Sequence, residues 1–172
     1  MRANRILPLL ALVVALGAFS AMAFGSTDKS SLAAAKNATA GFRNVDRAAA
    51  AGYAELRDAK GVACIAMPGM GAMGIHYVNG SLVKDAVLDP RHPEALVYEP
   101  RGETRHLVAL EYIVFASAWK HRAAPKLFGR RFDYTPAGNR FGLPAYWSLH
   151  AWVWKHNPAG TLTPWNPRVS CR

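Results

Sequence analysis

Leu107 to Phe115 reads Leu-Val-Ala-Leu-Glu-Tyr-Ile-Val-Phe, an apolar run broken by one charge. Such a run belongs at the centre of a fold, with cover on both of its faces or nearly so. Period alone does not separate a buried strand from a buried helix, but the β-branched and aromatic content favours a strand. Glu94 to Glu99 precedes it, and Pro100-Arg101-Gly102 carries the turn chemistry that makes Glu94–Glu99 and Thr104–Phe115 a hairpin. A central strand of this kind needs further antiparallel neighbours, and the rest of the chain has to supply them.

Two more strands are expected on local grounds. Ile75-His-Tyr-Val and Ser81-Leu-Val-Lys flank Asn79-Gly80, a strong hairpin signal that would set His76 across from Val83. Ala145 to Trp154 alternates, with Tyr146, Ser148, His150, Trp152 and Trp154 on one face and Trp147, Leu149, Ala151 and Val153 on the other. The stretch Cys64 to Met73, rich in sulfur, glycine and proline, reads as a flexible approach to the first of these strands. A helix is expected from Leu32 to Gly52, capped by Ser30 or Ser31, with Ala38, Phe42, Val45, Ala49 and Tyr53 forming its apolar stripe. Helix then hairpins gives α+β: an N-terminal helix packed on a curved antiparallel sheet, in a cystatin-like layout or a small barrel.

Residues 1–23 have the form of a secretory signal peptide. Arg2 and Arg5 precede an apolar run that ends at Ala21-Met22-Ala23, too short for a transmembrane span. Residues 24–31 then form a polar, mobile mature N-terminus, and residues 32–172 one globular domain. Export makes Cys64 and Cys171, the only two cysteines, an expected disulfide; their separation does not suit a zinc motif. Of the formal charge of +10, loss of Arg2 and Arg5 leaves 19 basic and 11 acidic residues. Residues 119–140 hold Lys120, Arg122, Lys126, Arg130, Arg131 and Arg140 against Asp133 alone. That segment is a candidate for an anionic envelope surface, or is a solvated basic loop; export argues against genomic nucleic acid.

Three expected strands each embed one ionisable residue among apolar ones: His76, Glu111 and His150. Burying such groups alone costs several kcal/mol, roughly, so each needs a partner or a polar cavity. Brought together, two imidazoles and a carboxylate would hold a divalent transition metal such as zinc with positions left for water, or act as acid and base. Tyr146, Trp152 and Trp154 would wall the pocket. Met67, Met70 and Met73 ahead of His76 suggest copper(I) as a weaker alternative, since glycine and proline prevent a helix from aligning the three sulfurs. No nucleophile elbow, phosphate-cradling loop or His-Glu-x-x-His is present.

Three segments carry a resemblance: Gly71 to Asn79 (Gly-Ala-Met-Gly-Ile-His-Tyr-Val-Asn), Pro93 to Pro100 (Pro-Glu-Ala-Leu-Val-Tyr-Glu-Pro) and Leu149 to Cys171. In these the chain resembles a family of small exported bacterial proteins of unknown function. The resemblance implies a periplasmic or secreted protein and no particular activity. The expectation from the residues is therefore an exported small-ligand or metal-binding domain. Its alternatives are a metal-assisted hydrolase or isomerase using the same pocket, and an envelope-adhering protein acting through residues 119–140.

Overall fold

The computed structural model describes residues 23–172, so the signal-peptide reading of residues 1–23 lies almost wholly outside it. The helical part is α1 (Ala23–Ala38), a 3-10 turn (Ala40–Arg43) and α2 (Val45–Ala50). Strands β1 (Ala54–Glu55), β2 (Cys64–Met67) and β3 (Gly71–Val78) follow, then the short helix α3 (Gly80–Asp85). β4 (Ala95–Arg101) and β5 (Thr104–Phe115) come next, then β6 (Lys126–Leu127), β7 (Arg130–Arg131), β8 (Asp133–Thr135) and β9 (Tyr146–Ala151).

The main sheet is antiparallel, in the order β1-β3-β4-β5-β9-β8, with β2 sharing the outer edge of β3. It does not close, so the architecture is a helix-covered curved sheet and not a barrel. The apolar run sits where expected: Leu107 to Tyr112 are all buried in β5, between β4 and β9. The hairpin of β4 and β5 turns at Gly102, whose φ of 57° suits glycine, with Arg101 facing Thr104.

A bulge in that hairpin fixes which side chains point where. Val97 faces Ala109 while Tyr98 faces Leu107, which leaves Val108 unpaired and resets the alternation along β5. Leu107, Leu110 and Tyr112 consequently pack with Leu96, Tyr98, Leu149, Ala35 and Ala48 beneath the helices. Ala109 joins Val97, Ala72 and Trp152 in a second cluster, and Glu111 lies on that same opposite face. Two buried tyrosines tie the layers together, Tyr98 donating to the Phe42 carbonyl at 2.6 Å and Tyr53 to that of Pro93 at 2.7 Å.

The helix is interrupted. Thr39 turns its hydroxyl onto the Ala35 and Lys36 carbonyls at 2.9 and 3.2 Å, and Asn44 restarts the helix by accepting from the amides of Asp46 and Arg47. The break shifts the buried stripe to Ala35, Thr39 and Ala48; Ala38 and Ala49, expected to be buried, are exposed. α1 also takes in residues 24–31, where the sequence suggested a mobile arm.

Asn79-Gly80 is not a hairpin. The Asn79 side chain accepts from the amides of Ser81 and Leu82 and caps α3. An asparagine side chain serves a helix N-terminus as readily as a tight turn, and Ser81 to Asp85 continue as helix. His76 faces Val97 of β4, not Val83. The hairpin lies earlier: β2 and β3 pair around Gly69 and Met70, so Cys64 to Met73 is ordered sheet and not a flexible approach.

The Cys64–Cys171 disulfide is formed, closing a separation of 107 residues and pinning the C-terminal tail to β2. The tail also makes a two-bond bridge from Asn166 to Ala72. Glycine is needed beside it: Gly71 has φ +89°, and a Cβ there would stand 2.2 Å from the Asn166 carbonyl oxygen.

Candidate metal centre

Strand register assembles the three ionisable residues. Val78, Ala95, Glu111 and His150 form one row across β3, β4, β5 and β9, and His76 lies two residues along β3 from that row. In a flat sheet β3 and β9 would lie about 14 Å apart, three strand spacings. The sheet curls enough to bring the rings into contact: His76 Nε2 is 3.4 Å from His150 Nε2, and the ring planes cross at 87°. Glu111 reaches both, with Oε2 at 3.4 Å from His76 Nε2 and Oε1 at 3.6 Å from His150 Nδ1. Only the Ala95 methyl stands between Glu111 and Val78 in the row.

All three side chains are buried, with 4%, 6% and 3% exposure for His76, Glu111 and His150. Burial sets their protonation. It pushes both imidazoles down to about 4, outweighing the Glu111 carboxylate that favours a charged His76. Burial likewise raises the Glu111 carboxyl, against the His76 charge and a hydrogen bond from Ser148. Near neutral pH the imidazoles are therefore unprotonated, the form in which histidine binds a metal.

One donor atom from each residue lies within 4.8 Å of the other two. Ligands in a tetrahedral zinc-type site, at bonds of roughly 2.0–2.1 Å, stand about 3.4 Å apart. The two shortest separations here equal that edge. Among the described residues His76 Nδ1, which is buried, has no hydrogen-bond partner, so no outer carboxylate or carbonyl there orients the ring.

The trio lines the inner end of a cavity of about 470 Å3. Leu56, Ile65, Val78, Ile113, Phe141 and Leu143 make its walls mainly apolar, and Tyr146, Ser148 and Asp133 contribute polar groups. Phe141 meets the His76 ring edge-on at 6.4 Å. At the rim, the Arg140 guanidinium donates to Asp58 at 2.8 Å, and that bond holds the Asp58 carboxyl below the usual range.

Of the aromatic residues expected to form the pocket, Tyr146 does. Trp152 stacks beside His150 but is packed into the second core cluster, its Nε1 donating to the Thr163 carbonyl. Trp154 lies elsewhere, against Thr39, Lys36 and Arg43. β9 ends at Ala151, where the Trp152 amide turns to the Thr161 carbonyl, so strand alternation cannot be carried past that point. Trp165, from the C-terminal tail, lines the cavity instead. Met67 and Met73 also line it, whereas Met70 lines a neighbouring groove, so the three sulfurs do not share one cavity.

Asn139, Arg140, Phe141 and Leu143 were not foreseen as pocket residues. Their signal was the density of Pro and Gly from Pro136 to Pro144, which returns the long excursion to the edge of the sheet. Within 119–140, Arg130 pairs with Asp133 and Arg140 with Asp58, leaving Lys120, Arg122, Lys126 and Arg131 exposed. Among the described residues no helix is long and apolar enough to cross a membrane. Compared with known protein families, curated proteins and solved structures, the chain matches none.

Proposed function

We propose that this chain is an exported binding domain that takes a divalent transition metal of the zinc type on His76, Glu111 and His150, beneath a pocket for a small, largely apolar ligand. The observation that carries the reading is the convergence of three N and O donors, from three separate strands, at the inner end of one apolar cavity. Burying two imidazoles and a carboxyl together costs stability, and a bound cation recovers that cost by satisfying all three. The leader-like residues 1–23 and the disulfide support export.

A second reading is a metal-assisted hydrolase or isomerase. Three protein ligands would leave a fourth position open, and Tyr146 and Ser148 line the same cavity as the trio. A metal bound there would supply a Lewis acid and an activated water. His76, Glu111 and His150 would hold it, and the apolar walls would exclude bulk water.

Metal analysis of the purified native protein tests the site. About one equivalent of zinc-type metal is expected, retained through dialysis, with loss in both His76→Ala and His150→Ala. A metal-free native protein that stays metal-free after zinc supplementation rejects the reading. Turnover of simple esters or phosphoesters by the loaded protein alone would favour the enzyme over the binding domain.

A further inference from the structure

A second cleft, of about 680 Å3, shares no lining residue with the metal pocket. It lies between the 3-10 turn that ends at Arg43, the hairpin end of β4 and β5, and the stretch after β9. Its charged lining is one-sided: Arg43, Arg101, Arg105 and Lys155 against Glu99 alone. Leaving His106 aside, the cleft carries four positive charges and one negative.

Glu99 is already engaged. Lys155 Nζ donates to its two oxygens at 2.6 and 2.7 Å, Arg101 reaches Oε2 at 3.1 Å, and the Ser170 amide donates to Oε1 at 3.2 Å. Among the described residues neither Arg43 nor Arg105 pairs with a carboxylate. The Arg43 guanidinium lies 5.8 Å from the Trp154 ring centroid, and Lys36 Nζ is 5.1 Å from the same centroid. Trp154 is fixed in turn by its Nε1, which donates to Thr39 Oγ1 at 3.2 Å. Arg105 donates through Nη1 to the Thr104 carbonyl at 3.3 Å, and its Nε is buried with no acceptor among the described residues.

Cations gathered this closely repel one another, and an anion in the cleft would relieve that repulsion. Guanidinium groups engage the oxygens of a phosphoryl group through paired hydrogen bonds, which favours a phosphate-type anion over a simple halide. We propose that this cleft binds a phosphate-bearing ligand, with Arg43 and Arg105 as its direct partners and Arg101 and Lys155 adding to the field. Anion recognition then sits outside residues 119–140, where two of the six basic side chains are already paired.

The test has two arms, both on the full exported chain. Calorimetry at low salt measures inorganic tripolyphosphate binding; sedimentation measures association with phosphatidylcholine vesicles with and without phosphatidylglycerol. The double substitution R43Q/R105Q removes the two unpaired cations without freeing Glu99. K126Q/R131Q removes the same charge from exposed positions outside the cleft. Affinity is expected to fall at least about tenfold in R43Q/R105Q and less than about twofold in K126Q/R131Q. Tripolyphosphate binding without vesicle association assigns a free phosphate compound. Vesicle association that needs phosphatidylglycerol and follows the same order of variants assigns a lipid headgroup. Should the double variant melt early, R105Q alone carries the same comparison. Equal losses in the two double variants, or no binding in either arm, overturn the proposal.

Discussion

His76 and His150 sit on strands separated by two others, yet their Nε2 atoms are 3.4 Å apart across the concave face of the sheet. The contact is possible only because the sheet curls. It places two unprotonated rings and one carboxyl together at buried positions in the lining of the cavity, and the chemistry of the site follows from that position.

The first consequence is a pH dependence. Both imidazoles have folded-state values near 4 against 6.5 for an unperturbed ring. Between these values the unfolded chain takes up protons that the native state refuses. The corresponding stability is therefore complete above about pH 6.5 and lost as pH falls toward 4, by up to about 3 kcal/mol for each ring. Glu94, pushed up to about 8 by burial, acts in the opposite sense, its contribution being lost as pH rises from about 4.5 to 8. The histidine part is read by difference: as pH falls from 7 to 4.5, urea denaturation should show the native protein losing stability relative to H76Q/H150Q. Parallel curves would show that the rings titrate normally.

Replacing Glu111 should separate stability from binding. In the metal-free protein Glu111→Leu removes a buried carboxyl whose charged form is disfavoured. An increase of about 1–3 kcal/mol in unfolding free energy is expected, together with loss of metal binding. A less stable variant that still takes up zinc would place the ligand set elsewhere.

Gly71 is expected to tolerate no side chain. An alanine there would drive its Cβ into the Asn166 backbone and require a positive φ as well. Gly71→Ala should destabilise by more than about 2 kcal/mol, and chemical denaturation with the disulfide intact measures it. A change under about 0.5 kcal/mol would mean that the tail can lift away from β3 freely.

Asn79 distinguishes a helix cap from a hairpin turn. Asn79→Ala should cost about 1 kcal/mol, and Asn79→Asp should restore most of it, because an aspartate can accept from the Ser81 and Leu82 amides. Thermal melts of the two variants provide the measurement; equal losses would count against the cap.

The legible parts of the sequence were those where one physical requirement dominates. Nine consecutive residues with one charge left β5 no position except the centre, and Pro100 to Gly102 located its hairpin. His76, Glu111 and His150 stood out because each interrupts an apolar strand, and the strand register brings them together. Asn79-Gly80 misled because its local chemistry fits two structures, and the choice rests on β4 pairing with β3 from farther along the chain. The helix break at Thr39 depends on a hydroxyl turning inward, and the departure of Trp154 on a strand ending three residues earlier. The cleft around Arg43 and Arg105 joins segments some sixty residues apart, so no local window contains it.

Ala95 contributes no polar atom to any of this, yet it controls whether the trio exists. It occupies the place in the row between Val78 and Glu111, completely buried, where any longer side chain would fill the space over which the carboxyl reaches His76. The separation of the donors is thus governed from the middle of the sheet by the smallest side chain in the row. Changing the bulk at position 95 would therefore reset the spacing of the three donors with the donors themselves untouched, and with it the size of ion the proposed site could take.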